Sequence, residues 1–292
     1  MTLTISDTQP PRRPILRYFG GKWQIAPWIV RQLPAHQKYI EPFGGGGSVL
    51  LMKPVVHAEV YNDLDGEIVN LFRVLRDQQE LLVEKITLTP FAREEFDLSY
   101  TPCTDPVEQA RRTLVRSWMG FASQATSGRR SGFRNETARE YSLPVHDWAS
   151  LSPTLSRIAK RLRRVIIENR DAIKVMTQHD NATALHYVDP PYLSTTRSNE
   201  YKNVYRHEMS DAQHIDLIDC IKSLKGMVVL SGYRNELYSN ALAEWTMTTC
   251  VNKAGGQPGG RDLNREEVMW RNPACIRAIE SKEPQMGLDF QN

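Results

Sequence analysis

The tetrapeptide Asp189-Pro190-Pro191-Tyr192 follows the apolar run 185–188 and joins an acid, two prolines and an aromatic ring. It suits methylation of an exocyclic amino group on a planar base, because the nitrogen lone pair of such a group is delocalised and needs activation. The Asp189 carboxylate and the rigidly held Pro190 carbonyl would accept the two amine hydrogens, while Tyr192 would stack on the base. We predict these three residues to be catalytic. A strand that ends in a proline-rich turn with an incidental acid is the alternative.

A run of four glycines, Gly44-Gly45-Gly46-Gly47, separates an apolar segment at 39–43 from another at 48–51. The pattern predicts a strand, a loop and a helix, and a loop without Cβ atoms lets a ligand approach the backbone closely. We expect Ser48 to cap the helix, whose free N–H groups favour an anion. The spacing fits neither a phosphate-binding P-loop nor a strict dinucleotide fingerprint. A flexible linker is the alternative, but the apolar segments on both sides disfavour it.

An acid follows the next predicted strand, 57–61, at about the distance from the glycine loop that one βαβ step requires. Asp63 comes directly after this strand, where a doubly wound sheet places the carboxylate that binds the hydroxyls of a ribose. Asp65 is expected to cap a helix over 66–75. The alternative is that both acids are helix caps.

The remaining elements predict an α/β fold with a mostly parallel sheet covered on both faces. Residues 76–160 read as helical and loop-rich, and strand patterns then return at 164–167, 184–188 and 227–230. A final pair at 245–251 and 267–270 predicts an antiparallel hairpin at the sheet edge.

Taken together, these segments resemble the Dam-type (class alpha) family of adenine-N6-specific DNA methyltransferases, from about residue 16 to residue 273. The motifs that carry the resemblance stand in the family's order: Arg17-Tyr18-Phe19-Gly20-Gly21-Lys22, Glu41-Pro42-Phe43 with the glycine run and Ser48, Asn62-Asp63, Asp189-Pro190-Pro191-Tyr192, 229–233 and 267–273. The resemblance implies a Rossmann-like S-adenosylmethionine-dependent methyltransferase core, 15–75 and 161–278. It also implies an inserted, mainly helical target-recognition domain at 76–160, and we expect flexible tails at 1–14 and 279–292.

The resemblance further implies methyl transfer from S-adenosylmethionine to N6 of an adenine flipped out of duplex DNA. The positions that match the family's donor site are Tyr18, Lys22, Glu41, Phe43, Gly44, Gly46, Asp63, Asp171 and Asp189. Tyr18 replaces the family's usual tryptophan but keeps an aromatic face. We expect no metal, since methyl transfer to nitrogen needs none and the four cysteines lack metal-ligand spacing.

Charge is distributed unevenly along the chain. Residues 111–170 carry thirteen Arg or Lys against four Asp or Glu, a balance of +9, whereas the whole chain is +3 and the remainder therefore −6. Such asymmetry is typical of a protein with one face along a phosphate backbone, so we expect double-stranded DNA as partner. The candidate contacts are Arg129, Arg130, Arg134, Tyr201 and Lys202. No stretch is long and apolar enough for a membrane span, which favours a cytoplasmic enzyme of a bacterial or phage-infected cell.

Other functions share parts of this pattern. The tetrapeptide also serves methylation of cytosine N4 or of adenine in RNA, and glutamine methylation in a protein, where Asn is commoner at its first position. The large basic region favours nucleic acid over protein. A non-catalytic DNA-binding protein on the same fold is the remaining alternative, disfavoured by the presence of Lys22, Asp63 and Asp189.

Overall fold

The structure, a computed structural model, describes residues 10–18, 20–121, 130–138, 142–193, 196, 205–253 and 264–281. In this part of the chain seven strands form one sheet. The strands are β1 (Lys38–Glu41), β2 (Ala58–Asn62), β3 (Val165–Glu168), β4 (Ala184–Val188), β5 (Met227–Gly232), β6 (Thr246–Lys253) and β7 (Asn264–Arg271). The helices are α1 (Ala26–Gln32), α2 (Ser48–Met52), α3 (Gly66–Asp77), α4 (Gln79–Leu88), α5 (Arg93–Leu98), α6 (Pro106–Met119), α7 (Pro144–Ala149), α8 (Leu151–Leu162), α9 (Ala172–His179), α10 (Asp211–Ser223), α11 (Glu236–Ala241) and α12 (Pro273–Glu280).

The strands lie in the order β3-β2-β1-β4-β5-β7-β6. The first five in this order are parallel, whereas β7 runs antiparallel to both of its neighbours, β5 and β6. This confirms the predicted α/β fold of Rossmann-like type and the predicted antiparallel pair at the sheet edge. The strand order reverses between β1 and β4, and open parallel sheets bind ligands at the carboxyl ends of the strands at such a point.

The central strands are buried on both faces, as a parallel sheet between helix layers requires. In β5, Met227 and Val229 point into one apolar cluster, and Val228 and Leu230 point into another. The first cluster contains side chains of α1, α2, α3, α4, α6 and α8, and the second contains side chains of α9, α10 and α11. The alternation of side chains along one strand thus builds two cores.

The region 76–160 is helical in its described part, as expected, and its helices share the first core. Helix α6 packs against α3, and α8 packs against α3 and α4. Buried side chains of α6 and α8, such as Leu114 and Ile158, belong to the same cluster as Ile68 and Leu71 of α3. That these helices form a target-recognition domain stays a prediction.

The ends of the described chain are attached to this body. Arg13 Nη1 lies 2.5 Å from Asp147 Oδ1, and Ile15 is buried. Residues 1–9 and 282–292, which make up most of the predicted flexible tails, lie outside the described residues. None of the helices that the structure describes is both long and apolar enough to cross a bilayer.

Candidate active site

A cavity of about 280 Å³ opens at the carboxyl ends of β1, β2 and β4, at the point where the strand order reverses. Three acids reach it because of their place in the strands: Glu41 ends β1, Asp63 follows β2, and Asp189 follows β4. The glycine loop after β1 forms another part of the wall. All nine predicted donor-site residues line this one cavity: Tyr18, Lys22, Glu41, Phe43, Gly44, Gly46, Asp63, Asp171 and Asp189.

The glycine loop follows a path that side chains would obstruct. A Cβ atom on Gly44 would lie 2.1 Å from the ring of Tyr61, and Gly45 and Gly47 have φ angles of +48° and +62°. Gly46 differs, because a Cβ atom there would meet only Tyr18 Cβ, at 3.7 Å. Gly46 therefore leaves open space beside the cavity.

The prediction that Ser48 caps helix α2 is wrong. The capping residue is Gly47 in the left-handed conformation, without a side-chain capping hydrogen bond, and Ser48 is already the first helical residue. The glycine turn therefore begins the helix by backbone geometry alone. The Asp65 prediction is confirmed, since its side chain accepts a hydrogen bond from Glu67 N at the start of α3.

Asp63 holds the glycine loop beside the end of β2. Its Oδ2 accepts a hydrogen bond of 2.7 Å from Gly45 N, and its Oδ1 accepts one of 2.8 Å from Asp65 N. Burial raises the pKa of Asp63 to about 6, and the two amide hydrogen bonds oppose this shift. Asp63 is thus ionised at neutral pH and already oriented.

Asn62, for which the sequence predicts no separate role, joins the loops after β1 and β3. Its Nδ2 donates to Pro42 O at 2.9 Å and to Arg170 O at 3.0 Å, and its Oδ1 accepts from Arg170 N at 2.9 Å. These bonds bring Asp171 to the cavity, where its side chain also caps α9 through Lys174 N. A buried amide at a strand end is the signal that could have identified Asn62.

Glu41 lies deeper and is held by two donors. Its Oε2 accepts hydrogen bonds from Tyr39 OH at 2.7 Å and from Leu50 N at 3.0 Å. Burial raises the pKa of Glu41 to about 8, so the group is mostly protonated at neutral pH.

A buried ion cluster stands beside the tetrapeptide. Lys22 Nζ lies 2.9 Å from Asp189 Oδ1 and 3.5 Å from Glu267 Oε1, and it donates to Gly20 O at 3.0 Å. Burial opposes the charge of Lys22, but the carboxylates of Asp189 and Glu267 more than compensate and raise its pKa. Burial raises the pKa of Asp189 to about 6, while Lys22 lowers it and Glu267 raises it further. Lys22 therefore keeps Asp189 ionised at neutral pH in a site that disfavours charge.

Tyr192 is fixed by this cluster. Its hydroxyl donates to Glu267 Oε1 and lies 3.3 Å from Asp189 Oδ1, and Lys22 Nζ stands 4.8 Å from the ring centroid. The ring of Tyr233 meets it edge-on, at 4.5 Å between centroids. Tyr192 is thus buried and held at its hydroxyl end. That its ring stacks on a target base stays a prediction.

Residues 205–208 line the same cavity as the donor-site residues. Tyr205 stands 6.4 Å from Tyr18 between ring centroids, and Arg206 Nη1 lies 3.1 Å from both Asp65 Oδ1 and Glu67 Oε1. The sequence leaves two interpretations of the loop that contains these residues: it closes over a flipped base or contacts DNA, or it is a plain connection.

The candidate DNA contacts are placed differently from one another. Arg130 is exposed and pairs with Asp97 at 2.5 Å. Arg134 is buried, and its Nη1 donates to Trp118 O at 3.1 Å, so in this structure it supports the end of α6. The other three candidates, Arg129, Tyr201 and Lys202, lie outside the described residues.

Residues 18–252 match the family model described as D12 class N6 adenine-specific DNA methyltransferase. The chain is 26% identical to the Type II methyltransferase M1.LlaDCHI of Lactococcus lactis subsp. cremoris, over 85% of this chain and 92% of that protein. It is 22% identical to the Type II methyltransferase M.MjaIII of Methanocaldococcus jannaschii, over 73% of this chain and 80% of that protein. It is also 23% identical to the DNA adenine methylase of Escherichia coli K12, over 73% of this chain and 76% of that protein.

Proposed function

The chain belongs to the D12 class of N6 adenine-specific DNA methyltransferases, and on this premise we propose that it binds S-adenosylmethionine in the cavity between the glycine loop and Asp189. Asp189 and Pro190 then orient the adenine amino group toward the methyl group of the donor. The observation that carries the proposal is the convergence of Asp63, Asp189 and Gly46 on one cavity where the strand order reverses. The resemblance seen in the sequence is confirmed by the family match.

The residues of the cavity fit this donor. Gly46 leaves space against the backbone, and the carboxylates of Asp63 and Asp189 suit the ribose hydroxyls and the positive charge of the sulfonium, respectively. When bound, S-adenosylmethionine supplies an electrophilic methyl group on sulfur. Tyr18 and Phe43 offer apolar surface, and Asp171 stands at the start of α9 for the donor's adenine.

Asp189 prepares the target amine without removing a proton from it beforehand. Its contacts with Lys22 and Tyr192 are both made through Oδ1. We assign Oδ2, together with the Pro190 carbonyl, to the two amine hydrogens, so that the nitrogen lone pair points at the methyl group. The N–C bond forms as the S–C bond breaks, the sulfonium becomes a neutral thioether, and the excess proton on nitrogen leaves to solvent.

The adenine must leave the duplex, because its N6 takes part in base pairing and is inaccessible within the stack. We assign Tyr192 as the surface on which the flipped base stacks, since its ring is already fixed by Glu267, Asp189 and Lys22. Residues 76–160 are assigned to target recognition, with Arg129 and Arg130 as DNA contacts together with Tyr201 and Lys202. We place the enzyme in the cytoplasm of a bacterial or phage-infected cell, where its substrate lies.

Gly46→Ala tests the donor site. The methyl group would fit the protein alone, since its nearest neighbour is at 3.7 Å, but it would occupy space that we assign to the donor. Overpacking of a fitted site costs about 1–3 kcal/mol, so we expect donor affinity to fall roughly 5- to 150-fold in equilibrium titration, with unchanged thermal stability.

Gly66→Ala is the matched control. A Cβ atom at Gly66 would also find its nearest neighbour at 3.7 Å, but Gly66 lies at the start of α3 and is not among the cavity-lining residues. Its donor affinity should equal that of the wild type. Equal affinities for all three proteins would refute the placement of the donor against Gly46.

A further inference from the structure

Glu267 of β7 is a buried carboxylate, outside the predicted site, that touches the catalytic group. Its Oε1 accepts hydrogen bonds from Tyr192 OH and, at 2.7 Å, from Ser231 OH, and it lies 3.5 Å from Lys22 Nζ. Its side chain is 5% exposed, and an acid is seldom buried to this extent unless it is paired. Two hydroxyl donors and an ammonium group thus surround one oxygen of Glu267.

The position of Glu267 depends on the antiparallel edge of the sheet. β7 pairs with β5, and Glu267 extends from the face of β7 that carries Met269 toward Ser231 and the tetrapeptide. The neighbouring Glu266 points to the other face and is exposed, because side chains alternate along a strand. The two adjacent glutamates thus differ sharply in environment.

The charges of the buried cluster do not balance. Lys22 supplies one positive charge, whereas Asp189 and Glu267 supply two negative charges within 3.5 Å of its Nζ. Glu41 adds little at neutral pH, because burial raises its pKa to about 8. The cluster of Lys22, Asp189 and Glu267 therefore has a formal net charge of −1 before the donor binds.

We propose that Glu267 is a positioning and charge-selecting residue. It fixes the Tyr192 hydroxyl and the Lys22 ammonium. It also supplies the excess negative charge that makes the site prefer the cationic donor over the neutral thioether product. This inference rests on the proposed function. Methyl transfer moves the positive charge from sulfur to the amine nitrogen, and the charge leaves the site with the departing proton. The excess carboxylate therefore stabilises the donor complex and the transferring cation but not the product left behind.

The test compares the affinities of S-adenosylmethionine and S-adenosylhomocysteine, measured without DNA by equilibrium titration. Glu267→Gln keeps the shape of the side chain and removes the charge. We expect the preference for the cationic donor to fall roughly tenfold, about 1.4 kcal/mol, since the Coulomb interaction between buried charges is of this order or larger. If Glu267 had only a structural role, the substitution would weaken the binding of both ligands equally and leave the ratio of their affinities unchanged.

Two variants separate charge from position. Glu267→Asp keeps the charge and shortens the reach to Tyr192, so it should retain the affinity ratio while its methylation rate falls. Glu266→Gln makes the same chemical change at the exposed neighbouring residue of the same strand and should change neither quantity. Thermal unfolding of each variant checks that it is folded.

The outcomes are distinct. An unchanged ratio in Glu267→Gln overturns the inference and leaves the donor site intact, whereas failure of the wild type to bind the donor would overturn the proposed function instead. If Glu267→Gln does not fold, the Asp variant decides, because a ratio that falls when the charge is retained also contradicts the proposal.

Discussion

Replacement of Lys22 by Met should reveal how far the active site depends on one buried cation. Lys22 lies between two carboxylates, 2.9 Å from Asp189 and 3.5 Å from Glu267, and is itself buried. Met has a similar length but no charge, so the variant leaves two largely buried acids without this cation. Removal of one partner from a buried ion pair costs about 3–5 kcal/mol of unfolding free energy.

The penalty should depend on pH. At 2.9 Å the attraction between Lys22 and Asp189 is worth about 1.4 kcal/mol even at the dielectric constant of water, which is about one pKa unit, and more inside the protein. Asp189 has a pKa of about 6 in the wild type, so in the variant we expect a pKa of at least about 7. A carboxyl whose pKa is raised by folding costs stability as the pH rises through that pKa. The penalty for Lys22→Met should therefore grow by at least about 1.4 kcal/mol between pH 5 and pH 8.

Urea denaturation at pH 5 and pH 8 measures this difference directly. Lys222→Met, on the exposed side of α10, is the control and should cost little at either pH. A cost of Lys22→Met that is the same at both pH values, or no larger than that of the control, would contradict this prediction. In the first case the cation does not hold Asp189 in its ionised form.

The two described arginines among the DNA candidates should behave differently. Arg130→Gln removes an exposed charge, so it should leave the free energy of unfolding unchanged but weaken DNA binding. If Arg130 neutralises one phosphate, the slope of log affinity against log salt concentration should fall in magnitude by about one. An unchanged slope would show that Arg130 does not contact the DNA backbone. Arg134→Gln should instead lower the unfolding free energy by about 1–3 kcal/mol, because the buried Trp118 carbonyl loses its donor; full stability in this variant would contradict a supporting role.

Much of the donor cavity could be predicted because its residues stand next to local patterns. Asp189 and Asp63 each follow an apolar strand, and a parallel sheet brings the carboxyl ends of its strands to one edge. The glycine run marks the loop between β1 and α2 without any knowledge of the tertiary structure. These signals depend on short stretches of chain, so they can be recognised in the sequence without the structure.

The parts that were missed depend on contacts between distant segments. Glu267 meets Tyr192 across 75 residues of sequence, and its neighbour Glu266 looks equivalent until the pairing of β7 shows which of the two is buried. Arg134 lies in a basic stretch that suggests a surface, yet its guanidinium is buried beneath α6. Ser48 has the right type for a cap, but the left-handed Gly47 already ends the loop one residue earlier. The environments of these residues follow from strand pairing, from burial and from turn geometry, respectively, and local sequence patterns do not show them.

The proposed role of Asp189 in adenine methylation is tested by the transfer of labelled methyl from S-adenosylmethionine to unmethylated duplex DNA, followed by nucleoside analysis. The wild type should produce N6-methyladenine, and Asp189→Ala should lose this product while it remains folded. N6-methyladenine formed equally well by the variant would contradict the role of Asp189. N4-methylcytosine as the product would show that the target base is cytosine and not adenine. Absence of DNA methylation despite donor binding would contradict the proposed function.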